Sequence, residues 1–190
     1  MGNQFNESLK RYQLTVFDDD WGALQRGIEK ESLRVNPNGH ISHSPHPSRL
    51  GSALTNPYIT TDFSEALLEL ITPVSKTVDG CLEELENIHR YTLQNLENDE
   101  ILWATSMPCP LSADTEIPIA QYGNSNIGKL KTLYRHGLHH RYGSLMQAIA
   151  GIHYNFSMPE AFWESYKLLC KFNGSTQEFK TEKYLHLIRN

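Results

Sequence analysis

One segment of the sequence limits the possible folds of this chain more than any other. Residues 27–35 read Gly-Ile-Glu-Lys-Glu-Ser-Leu-Arg-Val and end in side chains that favour a strand. The next four residues, Asn36-Pro37-Asn38-Gly39, are strong turn formers. This combination predicts a strand that enters a hairpin.

Two glutamates of this predicted strand are candidate metal ligands. Residues two apart on a strand share a face and lie roughly 6.5–7 Å apart, so Glu29 and Glu31 project in the same direction. Two neighbouring anions are unfavourable unless a cation lies near them. The alternative interpretation is a solvated strand surface, with Lys30 and Arg34 on its other face.

The rest of the chain alternates between predicted helices, strands and a Pro-rich loop. Hydrophobic periodicity and turn residues set the boundaries. The segments are a weak helix over 7–26, a loop over 40–57, a β-rich stretch over 58–73 whose second half also suits a helix, helices over 129–147, after Pro159 and near Glu182, a strand over 151–158, and the clearest helix over 78–96.

Further candidates for a metal site lie on the other predicted strands. Glu69 is flanked by aliphatic residues, and a buried carboxylate is rare unless it is paired or binds a metal. Asp62 stands at the start of the same β-rich stretch. His153 lies on the polar face of the later strand, where a lone histidine is also compatible with a structural role. Four carboxylates on neighbouring strands suit a hard cation such as Mg²⁺.

The charge balance argues against two classes of partner. The 190 residues include 17 Lys and Arg and 22 Asp and Glu, a net charge of −5, which gives no electrostatic reason to bind nucleic acid or anionic lipid. No apolar stretch approaches the ~20 residues of a membrane helix, and the polar N-terminus lacks the apolar core of a secretory signal. Because Cys81, Cys109 and Cys170 are far apart and odd in number, we expect free thiols and a cytoplasmic protein.

Residues 123–130 imitate a phosphate-binding loop. Gly-Asn-Ser-Asn-Ile-Gly-Lys matches the first seven positions of GxxxxGK[ST], but Leu130 replaces the hydroxyl residue that would hold Mg²⁺. The residues before the loop make a poor parallel strand, and the βαβ alternation is missing. The sequence therefore argues against a P-loop nucleotide-binding module.

Five segments, taken in order, carry a family resemblance. They are Arg-Gly-Ile-Glu-Lys-Glu-Ser-Leu-Arg-Val at 26–35, Ile-Thr-Thr-Asp-Phe-Ser-Glu-Ala-Leu-Leu-Glu-Leu-Ile-Thr-Pro at 59–73, Gln-Tyr-Gly-Asn-Ser-Asn at 121–126, Lys-Thr-Leu-Tyr-Arg at 131–135 and Gly-Ile-His-Tyr-Asn-Phe-Ser at 151–157. Together they resemble the proteobacterial type of glutamate–cysteine ligase, the γ-glutamylcysteine synthetase that begins glutathione synthesis. The resemblance runs from about Leu24 to the last residue.

The resemblance implies both a fold and an activity. The fold would be α+β, similar to glutamine synthetase and guanido kinases, with a curved antiparallel sheet around the active site and helices outside. Members of the family are more than twice as long, so residues 1–190 would form a single, incomplete catalytic domain. The activity would be ATP-dependent ligation of the glutamate γ-carboxyl group to cysteine through γ-glutamyl phosphate. Its partners would be glutamate, cysteine and ATP, with Mg²⁺ or Mn²⁺ as cofactor.

The resemblance also assigns roles to individual residues. The implied metal ligands are Glu29, Glu31, Asp62, Glu69 and His153. Tyr134 and Gln147 match the substrate-side segment, and Arg135 would pair with the transferring phosphoryl group in a bidentate manner. The alternative is a non-catalytic fragment or degenerate homologue that binds metal or nothing.

Overall fold

The computed structural model describes residues 6, 7, 10, 23–112 and 115–189. The weak helix predicted over 7–26 lies almost wholly outside the described residues. The described chain divides into two compact units. One is Gly27–Asn155, which contains all of the candidate site residues, and the other includes residues 156–189.

The first unit is built on a mostly antiparallel sheet. Its strands are β1 (Gln25–Val35), β2 (Ile59–Thr61), β3 (Leu67–Ile71), β4 (Ile101–Leu102) and β5 (Ile152–Ser157). The strand order is β2-β3-β1-β4, and β5 also pairs with β1. The pairs β1–β3, β1–β4 and β2–β3 are antiparallel. The strands predicted from the sequence are thus confirmed, and the second half of the 58–73 stretch is a strand.

The predicted hairpin after β1 forms its turn but not a second strand. Gly39 adopts a φ of 77°, which L side chains rarely tolerate, and the backbone N–H of Asn36 donates to the His40 carbonyl at 2.8 Å. The chain then returns through one isolated bridge between Val35 and Ile41. Prolines at 45 and 47 lack an N–H group, so the returning segment cannot extend the ladder.

Four helices have named bounds in the structure. They are α1 (Val78–Gln94), α2 (Asn126–Tyr142), α3 (Glu160–Leu169) and α4 (Thr176–Arg189), so α4 begins six residues before the predicted start near Glu182. Thr77 and Ser125 cap α1 and α2 by accepting the N–H groups of Gly80 and Gly128, each at 3.1 Å. No described helix is long and apolar enough to cross a membrane.

The two faces of the sheet are covered differently. Helix α1 packs on one face, where Ile88 meets Leu68 and Leu70. On the other face, Leu33 and Leu67 belong to a second core, which also includes Cys109, Ile117 and Ala148 from the segments after β4. Further along that second face, the apolar side chains give way to the candidate carboxylates.

Arg34 lies on the α1 side of the sheet, opposite the face of Glu29 and Glu31, and is fully buried. Its guanidinium donates to the Glu100 carboxylate at 2.7 Å, to the Ser44 carbonyl at 2.7 Å and to the Glu65 carbonyl at 2.9 Å. A buried guanidinium requires such partners. The ion pair joins β1 to the segment that precedes β4.

The second unit is a helical pair with an aromatic core. Phe162 and Trp163 of α3 pack with Phe179 of α4, and several of their ring contacts are edge-on. All three cysteines are free, as predicted: Cys81 and Cys109 are buried, and Cys170 is exposed.

Candidate active site

Strand register brings the predicted carboxylates together. Glu31 on β1 lies directly opposite Glu69 on β3, so their side chains share a face. Thr60 on β2 lies on the other side of Glu69, and Asp62 follows two residues later. Glu29 occupies the next position of that face on β1. Alternation of side chains along three neighbouring strands therefore brings these carboxylates to one face of the sheet.

The chain at β5 adds a histidine and two hydrogen-bond donors. His153 places its Nε2 atom 3.4 Å from a carboxylate oxygen of Glu31. The Gly151 N–H donates to the other oxygen at 2.7 Å. Asn155 donates its side-chain amide to Glu29 at 2.8 Å. Each glutamate of β1 is thus held by a donor from the chain at β5. Asn155 falls on the predicted polar face of β5, but no sequence pattern assigned it a role.

Glu69 is the electrostatic centre of the site. Its pKa is raised to about 7, chiefly by partial burial and also by the carboxylates of Asp62, Glu29 and Glu31, whereas His153 acts to lower it. These five residues therefore interact, and we call them the acidic cluster. Within the described chain, no side chain donates a hydrogen bond to the Glu69 carboxylate. A cation would relieve this repulsion.

The donor set of the acidic cluster fits a hard cation, although no three of its members close on one point. Among the described residues, no group of three or more His, Cys, Asp and Glu side chains is arranged to hold a metal ion. Mg²⁺ commonly uses one or two protein carboxylates together with waters and substrate phosphates. The oxygen-rich chemistry of the cluster suits that mode of binding, and the individual metal-ligand roles stay predictions.

Of the three residues assigned to substrate and phosphoryl transfer, Arg135 contacts the acidic cluster directly. Arg135 on α2 donates through Nε to the Asp62 carbonyl, and through its terminal nitrogens to the carbonyls of Lys131 at 3.0 Å and Thr61 at 3.4 Å. Its guanidinium is therefore partly engaged by backbone. Tyr134 is 64% exposed, which leaves its ring accessible to a ligand. Gln147 is half-buried in a short 3-10 turn (Leu145–Ala148). The substrate roles of these residues stay predictions.

Comparison with known proteins decides the family. A sequence model of the glutamate–cysteine ligases matches residues 14–190 of this chain. The chain belongs to the glutamate–cysteine ligase family. The glutamate–cysteine ligase of Hahella chejuensis is 55% identical over 184 residues, which make up 97% of this chain and 34% of that protein. The predicted family resemblance is confirmed.

Solved structures of related proteins agree with the α+β fold. The crystal structure of the Francisella tularensis glutamate–cysteine ligase in complex with AMP matches with a TM-score of 0.75 at 46% identity, over 78% of this chain and 30% of that one. A bifunctional glutathione synthetase from Pasteurella multocida matches with a TM-score of 0.78 at 33% identity, over 93% of this chain and 22% of that one. The chain spans about a third of the length of the curated relatives it matches.

The P-loop-like segment has a different structural role in this family member. Residues 118–122 form no strand; their backbone meets the β2–β3 connection through an isolated bridge between Ile119 and Ser64. The loop that follows serves as the capped start of α2. The described residues therefore lack the strand–loop–helix unit that a P-loop requires.

Two buried residues near β2, Glu65 and Tyr122, were assigned no role from the sequence. Glu65 is buried, and its carboxylate accepts the backbone N–H groups of His46 at 2.9 Å and Gln121 at 2.8 Å. Tyr122 is 6% exposed and contacts the end of β2 through its hydroxyl group. The contacts from Glu65 to Gln121 and from Tyr122 to Thr61 span more than 50 residues of sequence, where local patterns carry no signal.

Proposed function

We propose that this chain forms one wall of the active site of a glutamate–cysteine ligase. The reaction joins the γ-carboxyl group of L-glutamate to the amine of L-cysteine at the expense of ATP, the first step of glutathione synthesis. Family membership supports the proposal, and the observation that carries it is the clustering of three further carboxylates and His153 around Glu69. On this proposal, residues 1–190 are part of a single catalytic domain that works in the cytoplasm.

The reaction needs ATP because a carboxylate and an amine do not condense in neutral water. Transfer of the γ-phosphoryl group of ATP to the glutamate γ-carboxylate gives an acyl phosphate and ADP. The cysteine nitrogen then attacks the acyl carbon, the carbon–oxygen bond to phosphate breaks, and the nitrogen loses a proton. Phosphate and the dipeptide are the products.

The acidic cluster supports this chemistry by holding cations on the nucleotide phosphates. Mg²⁺ or Mn²⁺, when bound, neutralises the charge that develops on the phosphoryl oxygens. Glu29, Glu31 and Glu69, with Asp62 and His153, would supply the protein ligands. The donors Asn155 and Gly151 hold the two β1 carboxylates in orientation before a metal arrives.

Arg135 and two neighbours serve the substrates in this proposal. The Arg135 guanidinium has five N–H donors, of which three are used by backbone carbonyls, so two are left for a phosphoryl oxygen. Tyr134 on the same helix and Gln147 in the following turn would contact glutamate or cysteine.

A thermal-shift titration tests the metal role. Mg²⁺ or Mn²⁺ at about ten times its dissociation constant should stabilise the fold by ~1.4 kcal/mol, which corresponds to about 3–6 °C for a chain of this size. Glu69→Gln should reduce this shift. Glu84→Gln, an exposed glutamate on α1, is the matched control and should leave it unchanged. Equal shifts in all three proteins would remove Glu69 from the metal site.

A second variant separates this proposal from a P-loop nucleotide-binding module. Lys129→Gln would abolish ATP binding if residues 123–130 held the phosphates. Under the present proposal it changes ATP affinity little, because the acidic cluster and its metal hold the nucleotide. Titration of both proteins with Mg²⁺–ATP by calorimetry distinguishes the two outcomes.

A further inference from the structure

The Tyr122 hydroxyl group is hydrogen-bonded to the end of β2, immediately before Asp62. It donates to the Thr61 carbonyl at 2.7 Å and accepts from the Thr61 hydroxyl at 2.9 Å, and it lies 3.3 Å from the Asp62 carbonyl. Burial raises the pKa of Tyr122 above its ordinary value, so the donated proton stays on its oxygen. Two good hydrogen bonds therefore fix this hydroxyl group to β2.

Arg135 reaches the same two carbonyl groups from α2. Its guanidinium donates to the Asp62 and Thr61 carbonyls and stacks over the Tyr122 ring, with its central carbon 4.6 Å from the ring centre. A guanidinium over an aromatic face is attracted by the ring quadrupole. Tyr122 and Arg135 thus hold the backbone at Asp62 together, and each also orients the other.

The segment that carries Tyr122 is itself anchored. Glu65 accepts the N–H of Gln121, and the Ala120 N–H donates to the Phe63 carbonyl at 3.1 Å. Helix α2 can approach because Gly128 has no side chain; an added Cβ would lie 2.3 Å from the Tyr122 carbonyl oxygen. The ring is consequently set against both β2 and α2 by backbone contacts.

We propose that Tyr122 is a positioning residue that fixes Asp62 and Arg135 relative to each other at the edge of the acidic cluster. This inference rests on the proposed function, in which Asp62 faces the metal and Arg135 the phosphoryl group. Displacements of about 1 Å in such groups can lower activity about a hundredfold. Loss of the Tyr122 hydroxyl group should therefore weaken metal binding without removing any metal ligand.

The test compares two tyrosine variants of the chain. Tyr122→Phe keeps the ring and its stacking but removes the hydroxyl group. Tyr91→Phe, on α1, is the matched control. The Tyr91 hydroxyl group also donates to a backbone carbonyl, that of Arg49, at 3.2 Å. Mn²⁺ affinity is measured by electron paramagnetic resonance. In parallel, hydrogen exchange of the Arg135 Nε–H group is followed by NMR, and its signal is identified by its loss in Arg135→Lys.

We expect Tyr122→Phe to bind Mn²⁺ about 3- to 10-fold more weakly, the range that one lost hydrogen bond supports. Its Arg135 Nε–H group should also exchange faster, whereas Tyr91→Phe should match the wild type in both measurements. Unchanged affinity together with unchanged exchange would overturn the proposal.

Two further outcomes are also decisive. If the wild-type chain binds no Mn²⁺, the metal role proposed above fails. Arg135 exchange then decides the positioning role: faster exchange in Tyr122→Phe supports it, and equal exchange overturns it. If Tyr122→Phe does not fold, the same readings are taken on Thr61→Val, which removes the hydrogen bond from Thr61 to Tyr122 and preserves the shape of the strand.

Discussion

The pKa of Glu69 reflects the charged groups that surround this side chain. It is a half-buried carboxylate whose nearest ionisable neighbours are three further carboxylates and one imidazole. A residue selected for stability alone would gain from a nearby Lys or Arg. Instead, its environment favours the protonated form up to a pH of about 7. Perturbation of this kind is typical of a functional site.

The raised pKa of Glu69 predicts a pH-dependent stability. The folded state holds this proton more tightly than the unfolded state, so stability falls as pH rises from the ordinary value of 4.5 to about 7. Glu69→Gln has no such proton. One pKa unit corresponds to ~1.4 kcal/mol, and partial exposure reduces the total. Without metal, we expect the variant to be more stable than the wild type by about 1–2 kcal/mol at pH 8.

Urea unfolding at pH 4, 6 and 8 in the presence of a chelator measures this difference. Near pH 4, where Glu69 is protonated in both states, the two proteins should have nearly equal stability. A difference that stays the same from pH 4 to pH 8 would contradict the assignment, because Asp62, Glu29, Glu31 and His153 are present in both proteins.

At the scale of elements, local sequence predicted the parts better than their contacts. Strand-favouring residues before a turn predicted β1, alternation predicted β5, and periodicity predicted α1, because these signals lie within a dozen or so residues. The two-residue period of a strand also placed Glu29 and Glu31 on one face. Local patterns could not pair Arg34 with Glu100, which lies 66 residues away, nor assign Glu65 its hydrogen bonds to two loops. Such long-range contacts depend on the assembled sheet and produce no periodic pattern in the sequence.

Two glycines of α2 provide a test of how this helix meets the site. Gly137 has nothing within 4 Å of an added Cβ, whereas Gly128 would place that atom 2.3 Å from the Tyr122 carbonyl oxygen. Gly137→Ala should stabilise the chain by about 0.5–1 kcal/mol through helix propensity. Gly128→Ala should destabilise it by about 1–3 kcal/mol, since backbone must shift.

Thermal unfolding of both glycine variants measures these effects. Opposite signs are expected from the same chemical change on the same helix. Equal stabilisation of both variants would mean that α2 does not lie close to residue 122.

At the scale of the molecule, the acidic cluster lies within a chain that covers about a third of its relatives. The proposal gives this chain one wall of the site, and catalysis by phosphoryl and acyl transfer depends on groups held in exact position on all sides.

We therefore expect the 190-residue chain alone to turn over far more slowly than ~1 s⁻¹, the lower end of the ordinary enzyme range. The measurement is phosphate release that depends on ATP, glutamate and cysteine. The Hahella chejuensis ligase serves as the positive control in the same assay. A rate at or above ~1 s⁻¹ would show that one wall suffices and that the proposed division of the site is wrong.

The register between β1 and β3 has a consequence for how the site can fail. Leu68 and Leu70 pack under α1, whereas Glu69 between them faces the opposite side. A slip of one residue in this register would move the Glu69 carboxylate into the apolar core under α1 and move Leu68 and Leu70 out of that core. The same slip would therefore disrupt the core and separate Glu69 from Glu31, so a stably folded chain holds these two carboxylates on one face of the sheet.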